Sequence, residues 1–327
     1  MTTQRRSRLE IGPFTPDALH TAAALLADRH RRHRAAEPLL DRSFEVPANA
    51  RAAIEAELAA DRAGGWVARR DGEVVGYLIG QEKSPVWGAN VWVEAAGHAA
   101  VEPSIVRELY AVAAAAWVAE GRVNHHILVP ATDASLVDAW FSLDFGQQHL
   151  HAIREVPGPA VGVVPRSKLV IRGKTRDDLD ALAVLELVLP AHMRLSPVFS
   201  QLPLQTFEEA RAELAEELDN PAYTYFVAEH DGRVIGSAIG CRIEVSSSHQ
   251  GPNRVAGAAF LGFAAVDPEG RGLGAGKALG EATLAWSRDA GYASVQTDWR
   301  STNLEADRTW RSLGFRPTFR RLHRLIG

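Results

Sequence analysis

Residues 264–279 read AAVDPEGRGLGAGKAL: an apolar run that stops at Val266, a turn rich in glycine, and then the start of a helical pattern. A strand that feeds a helix through such a turn leaves the N–H groups of the first helical turn unpaired and aimed outward, helped by the positive end of the helix dipole. Glycine lets the backbone adopt conformations that a Cβ forbids and lets a ligand approach closely. The stretch reads as an anion site built from main chain, suited to a pyrophosphate. Arg271 adds a positive charge, either for a phosphate or to brace the loop. Two other cradles are not matched. The stretch contains no G-x-G-x-x-G, and no G-K-[ST], so Lys277 is not a P-loop lysine.

Working outward, the same chain holds an earlier version of its own second half. ARRDGEVVGYLIG (68–80) and AEHDGRVIGSAIG (228–240) agree at seven of thirteen positions, 160 residues apart. At that spacing Leu9, Ile11, Thr15, Asp17 and Leu19 also match Leu169, Ile171, Thr175, Asp177 and Leu179. GHAAVEP (97–103) matches GFAAVDP (262–268) at an offset of 165, and DASLVDAWFSLDF (133–145) matches NLEADRTWRSLGF (303–315) at 170. The offset grows because the second copy carries insertions near SSSHQGPNRV (246–255) and around EGRGLGAG (269–276). A domain is written twice, and the cradle is written once.

The 327 residues suit two domains of roughly 150 residues each. VPGPAVGVVPRS (156–167), rich in proline and glycine, reads as an extended linker, placing the domains at 9–155 and 168–327 after a loose tail at 1–8. A net charge of −4 argues against a general nucleic-acid binder. The single Cys241 excludes a disulfide framework and a multi-cysteine metal site, so no metal is expected and a reducing cytoplasm is the simplest setting. Cys241 itself is expected to be a small buried hydrophobe. No segment is long and apolar enough to span a membrane, and MTTQRRSRLE lacks the apolar run of a signal peptide.

In the second copy LVIRG is a strand, and DDLDALAVLELVL is a helix that Pro190 is expected to end. Thr206 and Glu209 form a capping box for the helix TFEEARAELAEEL. YTYFVAEHDGRVIGSAIG is a hairpin turning on Asp231-Gly232. The strand AAFLGFAAV, the helix GKALGEATLAWSRDAG, the strand ASVQTDW, the helix LEADRTWRSLG and a last strand follow. The order β-α-α-β-β-β-α-β-α-β predicts an α/β fold: a mixed sheet with helices on both faces.

RGLGAG (271–276), preceded by V-D-P (266–268) and followed by N-x-x-A (Asn303, Ala306) and L-G-F (313–315), resembles the motifs of the GCN5-related N-acetyltransferase family. The resemblance covers essentially the whole chain as two tandem copies, each implied to be a mixed, mostly antiparallel sheet flanked by helices. It implies acetyl-CoA as co-substrate. The pyrophosphate would lie on the backbone of Arg271, Gly272, Leu273, Gly274, Ala275, Gly276 and Lys277. The pantetheine arm would bond the main chain of Ala264, Ala265 and Val266 where two central strands splay, with Asn303 touching it from the next helix. The implied reaction is direct attack of an acceptor amine, on a small molecule or peptide, on the thioester. Dimers are common among single-copy relatives, which implies a monomeric pseudo-dimer or a homodimer here.

The chain departs from the family pattern at the catalytic groups. Trp310 stands where relatives often carry a tyrosine acid, and the strand AAFLGFAAV has no acidic base. A non-catalytic acyl-CoA-binding protein is therefore the alternative to an acetyltransferase. A peptidyl transferase using aminoacyl-tRNA is disfavoured by the acidic charge. Asp298 is the candidate proton relay, against a turn or cap carboxylate leading into RSTN. Glu244 and His249 are expected at the surface. The acidic helix end AEELDN (215–220) either attracts a cationic acceptor or forms a solvated face. In the first copy SIVRELYAV replaces the cradle and Asp133 replaces the asparagine, so that half is expected to be structural or to bind something else. Its basic run DRHRRHRAAE (28–37) is expected to be a solvated helix end, with a patch for an acidic partner as the alternative.

Overall fold

The computed structural model describes residues 8–158, 169–200 and 203–327. Residues 1–7 of the expected tail (1–8) and most of the expected linker, 159–167, lie outside the described residues. The chain forms two compact units, and their limits differ from those expected of the repeat. The first comprises residues 1–148, 250–254 and 318–327; the second comprises 149–249 and 255–317. Each copy's last strand thus belongs to the other copy's unit. The reason lies in strand edges: a central strand left unpaired needs a partner for its N–H and C=O groups.

In chain order the elements are β1 (Leu9–Pro13), α1 (Leu19–Ala36), α2 (Pro47–Leu58), β2 (Gly64–Arg70), β3 (Glu73–Gly80), β4 (Asn90–Val93), β5 (His98–Ala100), α3 (Pro103–Ala119), β6 (Asn124–Pro130), α4 (Ala134–Phe141) and β7 (Gly146–Glu155). The second copy gives β8 (Leu169–Gly173), α5 (Leu179–Met193), α6 (Phe207–Glu217), β9 (Tyr223–His230), β10 (Arg233–Arg242), β11 (Ala259–Val266), α7 (Ala275–Asp289), β12 (Ser294–Arg300), α8 (Leu304–Ser312) and β13 (Arg316–Leu325). This is the order expected for the second copy. One boundary differs: α5 runs through Pro190 to Met193. Near a helix end the ring forfeits a single backbone bond, which lets one more turn form.

In the first unit β1, β2, β3 and β5 form an antiparallel sheet, while β6 pairs with β4 in parallel and with β13 in antiparallel register. Helix α1 shows why a basic run need not be solvated. At helical spacing Leu26, Arg29, His30 and His33 fall on the core-facing stripe and are buried, whereas Arg31 and Arg32 pair with Asp28 at the surface. The expected solvated helix end is corrected to that extent.

The second unit is a sheet in the order β7-β12-β11-β10-β9-β8. Its hairpin turns on Asp231 and Gly232, both at positive φ, and α6 starts on the expected Thr206–Glu209 capping box. Alternation along β9 and β10 serves two layers. Tyr225, Val227 and Ile239 pack under Leu182, Leu214 and Leu218 of the α5 and α6 layer; Phe226, Ala228 and Ala238 pack against Ala275 and Leu279 of α7. Cys241, buried as expected, lies within β10.

Candidate active site

The site begins where two parallel strands part. β11 and β12 pair only through Ala259–Val295, Phe260–Gln296 and Leu261–Thr297. Beyond Thr297, β12 stays with β7, while β11 stays with β10 as far as Val266. A bulge marks the parting: the β10 register shifts between Ile239 and Gly240, leaving Gly262 as the extra residue. Among the described residues no strand pairs with the other edge of 262–266, so its main chain is available to a ligand.

The turn after Val266 is fixed by its own polar groups. The Asp267 carboxylate accepts from Glu269 N at 2.8 Å, and Arg233 bridges Asp267 and Glu269 at 2.8 Å each. Gly272 and Gly274 both have positive φ, +79° and +84°, which explains the need for glycine there. A Cβ at either would meet nothing within 4 Å; it would project into open space. Gly274 caps α7, whose first bond is Ala278 N to Gly274 O at 3.0 Å. The N–H groups of Ala275, Gly276 and Lys277 therefore precede the helical ladder, as an anion cradle requires.

Strand edge, turn and helix end enclose a cavity of about 410 Å³. Ala264, Ala265, Val266, Arg271, Gly272, Gly274, Ala275, Gly276, Lys277 and Asn303 all line it. Leu273 does not; its side chain is exposed. Asn303 caps α8, its Oδ1 accepting from Ala306 N at 3.2 Å. Arg271 stands 3.6 Å from Glu305, a carboxylate that also lies 3.9 Å from His192. Trp310 lines the cavity and packs its ring edge-on to Phe315 in the core. Sequence reasoning missed the contribution of α5, whose Val188, Leu189 and His192 form one wall. The signal was an apolar run, LAVLELVL, too continuous for a one-sided helix.

The acidic end of α6 is exposed at Glu216, Glu217 and Asp219, and it faces a half-buried carboxyl on α5. Burial raises the Glu186 carboxyl on α5 to about 7, and the charges of Glu217 and Glu213 add to the effect. These groups repel one another and would gain from a nearby cation.

Asp298 lies near the end of the strand that flanks the splay, as expected of the relay candidate. It is inside β12, not at a turn, and does not line the cavity. His149 Nε2 is 2.8 Å from its Oδ1, and Ser248 Oγ donates to its Oδ2 at 3.1 Å. Burial would raise its carboxyl, but the His149 hydrogen bond and the charges of His149, His249 and His151 outweigh that and hold it below the usual carboxylate range. A carboxylate so held is a weak proton acceptor, which argues against the expected relay. His249 also departs from expectation: it is fully buried, its ring 5.0 Å from that of Phe260. Glu244 is exposed, as expected, and accepts from Gly257 N at 2.9 Å.

Residues 191–315 match the acetyltransferase (GNAT) family. A stretch of 111 residues, 33% of this chain, is 33% identical to aminoglycoside N(6′)-acetyltransferase type 1 of Stenotrophomonas maltophilia and spans 69% of that protein. Among solved structures, a GCN5-related N-acetyltransferase from Sphaerobacter thermophilus aligns with 99% of this chain and 96% of its own, with a TM-score of 0.60 and 17% identity. A GCN5-related glucosamine N-acetyltransferase region of a fungal multi-domain β-N-acetylglucosaminidase aligns with 97% of this chain and 38% of its own, with a TM-score of 0.55 and 15% identity. These two likenesses extend the shared fold across both units. No helix among the described residues is long and apolar enough to cross a membrane.

Proposed function

Because this chain belongs to the acetyltransferase (GNAT) family and is an N-acetyltransferase, we propose that its second unit takes acetyl-CoA and acetylates the amine of a small molecule or peptide. The observation that carries this reading is the coincidence, in one cavity, of an unpaired strand edge at 262–266 and a helix end opened by Gly272 and Gly274. Acetyl-CoA would supply an activated acyl group as a thioester.

The chain's own residues would then act as follows. The N–H groups of Ala275, Gly276 and Lys277 hold the pyrophosphate, with Arg271 adding charge beside it. The open edge of Ala264–Val266 bonds the pantetheine amides, and a backbone N–H near Val266 polarises the thioester carbonyl. The uncharged amine attacks that carbonyl carbon, the C–S bond breaks, and the thiolate leaves. Trp310 offers only an indole N–H, which is no proton donor of useful acidity, so water protonates the thiolate. Solvent likewise takes the amine proton. A cationic amine acceptor would be in keeping with the aminoglycoside acetyltransferase among the relatives.

The test is release of CoA thiol from acetyl-CoA across a panel of amines, polycationic ones included. Turnover that requires a particular amine supports the reading. Tight acetyl-CoA binding with no turnover on any amine would leave only an acyl-CoA-binding protein.

A further inference from the structure

Three histidines and an aspartate converge in the second unit outside the cavity. They come from separate places: His149 and His151 share one face of β7, Asp298 sits opposite His151 on β12, and His249 belongs to the inserted segment 246–255. His151 and His249 are buried, and the Asp298 side chain is 21% exposed. His151 Nδ1 lies 3.3 Å from His249 Nε2, and one ligand atom from each of His151, His249 and Asp298 falls within 4.8 Å of the others.

Two ring nitrogens that face each other at this distance fit two arrangements, a long N–H···N bond or one edge of a metal polyhedron. With zinc–nitrogen bonds of about 2.0–2.1 Å, a tetrahedral edge is about 3.3 Å. The surroundings favour the second. Ser246 Oγ is 2.9 Å from His249 Nδ1, a partner that can accept the Nδ1 proton and leave the Nε2 lone pair facing His151. His149 and Ser248 each bond an oxygen of Asp298 and so orient the carboxylate. Such outer partners are what a metal ligand set requires.

The internal repeat supplies an independent comparison. At the offset of 170, Asp298 corresponds to Leu128, His149 to Phe319 and His151 to Arg321, while the segment carrying His249 has no counterpart in the first copy. The same strand pairing persists without the cluster: Leu128 faces Arg321 as Asp298 faces His151. The fold does not need these side chains in order to form. They accompany the unit that holds the open cavity, and Asp298 is the first β12 residue beyond the last pair with β11.

We propose that His151, His249 and Asp298 form a binding site for a divalent transition metal of the zinc class. Two imidazoles and a carboxylate are the borderline N and O donors such ions prefer, and the partly exposed Asp298 side leaves a fourth position for water. A bound ion would tie β7, β12 and the inserted segment together.

The test is titration of the tag-free, metal-free full chain with Co²⁺ as optical probe and Zn²⁺ as competitor. Acetyl-CoA is left out, so the result is independent of the acyl-transfer reading. One Co²⁺ per chain is expected, with the visible absorption of a four-coordinate site, displaced by Zn²⁺. Zn²⁺ affinity is expected to fall at least about 100-fold in His249→Ala and in Asp298→Asn, while His192→Ala, in the neighbouring cavity, retains it. Circular dichroism separates loss of a ligand from loss of fold, and should His249→Ala fail to fold, Asp298→Asn decides. Co²⁺ binding weaker than about 0.1 mM in the wild-type chain, or equal binding by all folded variants, would overturn the proposal.

Discussion

In the first unit the gap between β5 and β6 is filled by the chain itself; in the second the gap between β11 and β12 is a cavity. Among the described residues β5 pairs only with β3, and the distance to β6 is crossed by His98, whose Nε2 bonds Leu128 O at 3.0 Å. The buried Arg29 guanidinium donates to the carbonyls of Ala95 and His98. The counterpart of Arg29 at the 160 offset is Leu189, which lines the cavity, and that of His98 at 165 is Phe263. After β5 the chain enters α3 at Pro103 with no glycine turn. A buried strand edge must have hydrogen-bond partners. The first unit supplies them from its own side chains, whereas the second leaves the edge open to its cavity, where we propose a ligand supplies them. Loss of the cradle and closure of the gap are thus two sides of one change.

The largest effect is expected from damaging the open side. Gly276 has room, since a Cβ would stand 3.8 Å from Val266 and 3.9 Å from Thr309, so Gly276→Asp should fold. It would set an anion in the cradle and should weaken acetyl-CoA at least about 100-fold, roughly 3 kcal/mol, by calorimetry. An affinity within threefold of the wild type would mean that the pyrophosphate lies elsewhere. Gly274→Asp is a less clean probe, because its positive φ adds strain.

Arg29→Leu gives the closed side the residue of the open one. It strands two buried carbonyls and should destabilise the first unit by about 2–4 kcal/mol in urea melts, without creating a second acetyl-CoA site. A gain of binding there would show that the plug alone separates the copies.

Acid should reach the closed side too. Burial, with the charge of Arg29, lowers both His98 and His33 to about 3. Both are neutral when folded and would take a proton near 6.5 when unfolded, so their stability is present above 6.5 and lost as pH falls toward 3. Between pH 7 and pH 5 the loss should be about 2 kcal/mol for each histidine. A urea midpoint unchanged by His98→Gln at pH 5 relative to pH 7 would show that this burial carries no such linkage. The smallest effect is expected at Trp310. Trp310→Phe should change kcat less than about threefold, and a large selective fall would reveal a catalytic part for the indole.

The repeat, the element order and the cradle were legible because each is local: a glycine turn, a capping box and an Asp-Gly hairpin declare themselves within a few residues. What stayed hidden depends on contacts between distant segments. Exchange of β7 and β13 between the units leaves no mark in a repeat comparison, since each copy still ends in a strand. Arg29, His30 and His33 read as solvated because charge in a sequence does not reveal which carbonyls await it. His249 read as a surface group because its insertion has no counterpart to compare, and Asp298 as a proton relay or a turn carboxylate because its three imidazole neighbours lie about 50 and 150 residues away in the chain. The α5 wall of the cavity was missed because an apolar helix face looks alike whether it meets a core or a ligand.

On the proposed function, the chain keeps the scaffold twice and the acyl-CoA site once. Calorimetric titration of the full chain with acetyl-CoA tests it most directly. A stoichiometry of one per chain, abolished by Gly276→Asp, is the expected result; two per chain, or one that survives Gly276→Asp, would contradict it.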